Sequence, residues 1–139
     1  GTPGTDAPTL QGVDFGGTSS DEKGAFQFPL PVEYDPGETI TVRVRAAMLT
    51  TLADSSCNID VVCYPQNGDG GVSADICATG AQDMNSLTLA NYDFVITPTN
   101  RQPGDVPIVQ LAFAGTDSGN AGVMVPEITK VSVLLDVRG

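Results

Sequence analysis

The chain holds no histidine, three cysteines, 17 acidic side chains and two lysines. Those residue types decide which chemistries are open. Without histidine there is no Ser-His or Cys-His nucleophile pair. A Ser-Lys dyad can draw only on Lys23 and Lys130, and neither lies in a recognisable motif. Paired carboxylates support glycoside hydrolysis, yet 17 acids in 139 residues form pairs by chance. Sugar sites also lean on aromatic platforms, which a chain with no Trp and three Tyr hardly supplies. Calcium is the most plausible ion. "NGDGG" (67–71) and "GTDSGN" (115–120) offer Asn67, Asp69, Asp117 and Asn120 on loops. Neither stretch has the spaced acid-and-glycine pattern of an EF-hand loop, so they read as solvated turn residues. Phosphate cradles need a strand that runs into a helix, and no glycine here opens one. The expectation is a protein without catalytic residues, metal site or cofactor, and not an enzyme.

Two smaller groups remain. Cys57 and Cys63 sit on one alternating stretch, six residues and roughly 20 Å apart, beyond disulfide reach. Only a bond to Cys77 is open to either, and one thiol must remain. The plainer reading is three small buried apolar side chains, and the absence of His and of any C-x-x-C argues against zinc. Arg43 and Arg45 are two of only six cations. They share one face of one strand at a spacing of roughly 7 Å. They either face carboxylates on an adjacent strand or bridge to the acidic surface of a neighbouring subunit.

The elements that carry these residues follow from composition and period. At 139 residues the chain makes one domain with a core of its own. Glycine and proline number 16 and 10, which favours short strands and turns over long helices. The net charge of −11 repels nucleic-acid phosphates and anionic lipid alike. No run of apolar residues is long enough to span a bilayer as a helix. No signal-peptide pattern is visible, and the first residue is Gly1 rather than Met, so an exported history stays open.

Residues 1–24 show no period and little core-forming content, and read as an extended N-terminal arm. Such a segment needs a surface to lie on, either that of a neighbouring subunit or its own domain. From residue 25 to 139 the chain alternates in period 2. Inward positions are Phe26 and Phe28 (in 25–31), Ile40, Val42, Val44, Ala46 and Met48 (40–48), and Cys57, Ile59, Val61 and Cys63 (57–64). They continue with Leu87, Leu89, Tyr92, Phe94 and Ile96 (86–97, with a phase change near Ala90–Asn91 that suggests a bulge or a short turn), then Val109, Leu111 and Phe113 (106–114). The last set is Val131, Val133, Leu135 and Val137 (128–138). The stretch 45–56 ends one strand and crosses to the next, and further short strands are expected in 72–78 and 122–126. Six to eight antiparallel strands with one wet face make an all-β, jelly-roll-like β-sandwich. Connections 65–86 and 115–122 are long for hairpins and are the candidate contact loops.

The chain also repeats a phrase. "FQFPLPVEYDPGETITVRVRAA" returns as "YDFVITPTNRQPGDVPIVQLAFA". Pro36-Gly37 and Pro103-Gly104 fit the middle of type II turns. The two units are expected to serve the sandwich's architecture, one per sheet or side by side.

The polar arm, the run F-x-F-P-x-P…Y-x-P-G-x-x-I-T-V-R-V-R, the Gly-rich loops and the closing "VSVLLDVRG" resemble small β-sandwich proteins of tailed-bacteriophage particles. The nearest likeness is to jelly-roll decoration, or cement, proteins on the capsid exterior. That resemblance implies no catalysis, a trimer of its own copies, and binding to the major capsid protein with arms reaching neighbours, hence a virion location. The alternative is a receptor-binding or adhesion module, tail-fibre-like, or a secreted or cell-surface sugar- or calcium-binding sandwich.

Overall fold

The computed structural model describes residues 10–11, 19–50, 56–65, 74–116 and 125–137. Among them are eight strands and no helix: β1 (Leu10–Gln11), β2 (Ser19–Gln27), β3 (Ile40–Thr50), β4 (Ser56–Tyr64), β5 (Gln82–Asp83), β6 (Ala90–Ile96), β7 (Ile108–Thr116) and β8 (Val125–Leu135). They form two four-stranded sheets, ordered β1-β8-β3-β6 and β2-β7-β4-β5. Strand pairing is antiparallel throughout.

The pairs nest. β1 pairs with β8, β2 with β7, β3 with β6 and β4 with β5. The chain is thus one long hairpin, folded back near β4–β5 and rolled so that successive pairs fall in alternate sheets. That is the jelly roll. The pairs β3–β8 and β4–β7 knit each sheet across its middle.

The repeat acquires its reason here. One unit runs β2–turn–β3 and the other β6–turn–β7, and each crosses from one sheet to the other. Since β2 pairs with β7 and β3 with β6, the two crossings lie side by side and antiparallel. Their connecting loops touch: Leu30 N donates to Asp105 O at 2.8 Å, and Gly104 N donates to Leu30 O at 2.8 Å. Both turns close with the expected bond, Glu38 N to Asp35 O and Asp105 N to Gln102 O, each 3.1 Å. Gly37 and Gly104 have φ of 91° and 90°, values that L side chains rarely adopt. Of the two arrangements open to the sequence, the structure takes the side-by-side one.

The core is the alternation made solid. Ile40, Val42 and Val44 of β3, Ile59 of β4, and Phe94 and Ile96 of β6 have no exposed surface. Phe26 and Phe28 pack against this core, with ring centroids 6.3 Å apart.

Several expectations need correction. Leu10–Gln11 and Ser19–Gly24, given to the arm, are strand: the first pairs with β8 and the second with β7. Ladder bonds are made by backbone, so an edge strand can form from residues with little apolar content. Residues 1–9 and 12–18 lie outside the described residues. The first strand of the body starts at Ser19 and stops at Gln27, because Pro29 and Pro31 end it. The stretch 86–97 is strand only from Ala90; Leu87 and Leu89 precede it and are exposed. The described parts of the segments expected at 122–126 and 128–138 join in one strand, β8 (Val125–Leu135), whose register shifts opposite Arg45/Ala46, and residues 122–124 lie outside the described residues. That bulge resets the alternation, so Ile128 also turns inward and is buried. Val137, assigned inward, is 55% exposed, lying past the strand's end. The connection 65–86 is not all loop. It contains β5, the fully buried Met84, and a bridge from Cys77 to Ile96 in the expected 72–78 region.

Candidate functional site

The wet face of the β1-β8-β3-β6 sheet is where the scarce cations gather. Inward residues of β3 alternate with Thr41, Arg43 and Arg45, and pairing in register on both sides sets three rows across the sheet. One row is Val95–Thr41–Leu134, the next Asp93–Arg43–Ser132, and the third Asn91–Arg45–Lys130. Residues directly opposite have Cβ atoms about 5 Å apart, so each row is a line of neighbouring side chains.

The middle row is internally satisfied. Arg43 grips Asp93 with both nitrogens, Nε to Oδ1 at 2.8 Å and Nη2 to Oδ2 at 2.9 Å. The hydrogen bond from Arg43 holds the Asp93 carboxyl below its ordinary range, and Asp93 raises the guanidinium in return. This is the cross-strand carboxylate that one of the two sequence readings expected for Arg43.

The third row is different. Arg45 meets the amide oxygen of Asn91, with Nη1 at 3.4 Å. On its other side stands Lys130, a like charge directly opposite, an arrangement that costs stability in a sheet. The bulge keeps the two together: Thr129 Oγ1 donates to Arg45 O at 3.1 Å, and Lys130 stays outward beside it. Among the described residues neither Arg45 nor Lys130 has a carboxylate partner. Counting Asp93, the cluster of Arg43, Arg45 and Lys130 carries a surplus of positive charge on a chain of net charge −11.

The first row adds apolar surface, with Val95 39% and Leu134 40% exposed. Between the rows lies an open depression of about 270 Å³, lined by Arg43, Arg45, Asn91, Lys130, Ser132 and Leu134. Strand addition beside β6 is closed off in part. Ala78 N donates to Val95 O, Val95 N to Thr79 Oγ1, Thr97 N to Ile76 O, and Gln82 Nε2 to Asp93 O. A segment of the chain itself therefore occupies that edge. The face beside that edge is open.

Chemically, this face can hold an anion and an apolar group side by side. Its hydroxyls are those of Thr41 and Ser132, and among the described residues no group of three or more His, Cys, Asp or Glu could hold a metal ion. Asn67, Asp69, Asp117 and Asn120, the calcium candidates, lie outside the described residues. No aromatic ring among the described residues is exposed: Tyr34, Tyr92, Phe94 and Phe113 are buried, and Phe26, Phe28 and Tyr64 are half-buried. Sequence reasoning selected Arg43 and Arg45 and missed the place of Lys130 beside them. The outward phase of Lys130 is legible from Val131 and Val133, but its neighbour depends on the pairing of β8 with β3.

No family model matches the chain, and no curated protein matches it. Among solved structures, one described as "CBM4 structure and function" is similar with a TM-score of 0.44 at 14% identity, over 97% of this chain and 87% of that one. Another is the structure of infectious bursal disease virus Gt strain, with a TM-score of 0.44 at 15% identity, over 93% of this chain and 30% of that one.

Proposed function

We propose that this chain is a non-enzymatic structural protein of a virion, a jelly-roll decoration protein that docks on acidic protein surfaces. In this reading the docking surface is the wet face of the β1-β8-β3-β6 sheet. Its partners are further copies of the same chain, as a homotrimer, and the major capsid protein beneath. The observation that carries the reading is the gathering of Arg43, Arg45 and Lys130, three of six cations, beside exposed Val95 and Leu134. Charge of one sign surrounded by the other steers like-built acidic copies into a single register, and the apolar row supplies area that excludes water. A sugar site would want exposed rings, which the described residues do not offer.

The test is the double charge reversal Arg45→Glu with Lys130→Glu. Both side chains are exposed, so the fold should survive, as far-UV circular dichroism would verify. Light-scattering mass should give a trimer for the wild type and a monomer for the variant, and only the wild type should co-sediment with coat shells. A monomeric wild type that ignores coat shells, or a variant that assembles as well as the wild type, overturns the reading. Removal of residues 1–9 keeps both β1 and β2 and tests the arm: attachment to shells should weaken while the melting temperature holds. A glycan-array hit or calcium-dependent melting would favour the adhesion alternative instead.

A further inference from the structure

Two of the three cysteines come together where the two sheets meet. Cys63 is near the end of β4 and has no exposed surface. Cys77 is half-buried, packs against the core and bridges to Ile96 of β6. The segment around Cys77 is bonded to both sheets. On one side Ile76 N donates to Cys63 O at 2.8 Å; on the other Thr97 N donates to Ile76 O and Ala78 N to Val95 O, each at 2.8 Å. Asp75 fixes the two cysteines relative to each other. Its Oδ1 accepts from Cys63 N and from Cys77 N, each at 2.9 Å, so those nitrogens lie within twice that distance of one another. Both side chains lie on the core side of this junction. Cys57 is excluded as a rival for Cys63, because six residues of strand, roughly 20 Å, separate them.

We propose that Cys63 and Cys77 are a disulfide site, a covalent staple between β4 of one sheet and the β6 edge of the other, formed when the chain meets a small-molecule disulfide such as oxidised glutathione. The exchange balances. The thiolate of the less buried Cys77 attacks one sulfur of the oxidant and releases one glutathione thiolate. The Cys63 thiolate then attacks the Cys77 sulfur of the mixed disulfide and releases the second. Two protein thiols are oxidised, one glutathione disulfide is reduced, and the two protons pass to glutathione or solvent. Burial pushes the Cys63 thiol up to about 12 and the Cys77 thiol up as well. The folded, reduced protein therefore exchanges slowly, and the bond forms efficiently while the chain folds. It closes a loop of about 15 residues, which restricts the unfolded chain.

The experiment is refolding of the full chain from urea in a buffer of reduced and oxidised glutathione, with a fully reduced control. Thiol titration in denaturant should fall from three to one, and the monomer mass should drop by two hydrogens. Proteolytic mapping should join the Cys63 peptide to the Cys77 peptide. The oxidised protein should have a higher urea midpoint than the reduced control. Cys57→Ala should keep the link and the midpoint shift, and Cys77→Ala should lose both. A link through Cys57, links only between chains, or three titratable thiols after oxidative refolding would overturn the proposal. So would a midpoint shift that persists in Cys77→Ala.

Discussion

Alkaline pH should find the weak point of this core at Cys63, and the size of the effect can be worked out. The thiol is fully buried in the core, and that burial moves it from its ordinary value of 9.0 to about 12. Between those values the folded chain keeps a proton that the unfolded chain has lost. The folded-state value is raised, so the contribution is fully present below 9.0 and is lost as pH climbs toward 12. The slope is about 1.4 kcal/mol per pH unit for one proton. Tyr34, Tyr92 and Cys77 are also raised by burial and steepen the total loss. A variant is therefore needed to isolate one group. Cys63→Ala removes the proton and, by leaving a small void, costs about 1 kcal/mol at neutral pH. The chain has no Trp, and ionising tyrosines disturb absorbance, so urea unfolding should be followed by far-UV circular dichroism, with a phosphine reductant present. At pH about 8 the wild type should be the more stable; at pH about 10.5 it should have lost roughly 2 kcal/mol more than the variant, which closes or reverses the gap. A gap that stays constant across that range would refute the reasoning, because it would mean that Cys63 titrates alike in both states.

Two further perturbations test the turns and the surface pair. Gly104→Ala and Gly37→Ala should each lower stability by about 1–2 kcal/mol through backbone strain alone, since both glycines have positive φ and open space where a Cβ would stand. Gly24→Ala, in β2 with open space and no positive φ, should instead be neutral or slightly stabilising, with urea midpoints deciding all three. Asp93→Asn should lower the midpoint slightly, and less at high salt, because the pair with Arg43 is half-exposed. Its folded-state value is depressed, so its contribution is present above the ordinary carboxylate range and is lost as pH falls through the folded value.

The sandwich was legible wherever side chains alternate and one face is wet. In β3, all five positions picked from Ile40 to Met48 are buried, and the same holds for the four of β4. Legibility stopped where backbone rather than side chains makes the structure. β1 and the first part of β2 have no apolar period, and their existence rests on ladder bonds to β8 and β7. β5 is two residues long, and Met84 beside it is a lone apolar side chain in a polar stretch. Period arguments need several turns of the pattern before they speak. The phase change near Ala90 is visible in the sequence and suggests a bulge or a short turn; the structure makes it the start of β6, with Leu87 and Leu89 exposed before it.

The site shows the same division at a finer level. The outward phase of Arg43, Arg45 and Lys130 comes from the apolar residues that flank them, and is local. Which outward residues become neighbours is topological, and in this fold the repeated unit holds the key. Two copies of strand–turn–strand that lie antiparallel must pair β3 with β6, which sets Asp93 and Asn91 opposite Arg43 and Arg45. That step needs the repeat together with the side-by-side arrangement of its two copies, which the structure supplies. The pairing of β3 with β8 needs the roll of the whole hairpin, and it alone sets Lys130 against Arg45. The charge conflict on the wet face is therefore a product of topology rather than of any one strand. A sheet that places two cations directly opposite bears a cost, which an acidic partner docked on that face would relieve. This makes the third row, Asn91–Arg45–Lys130, a sharper target for charge reversal than the Arg43 pair that first draws the eye.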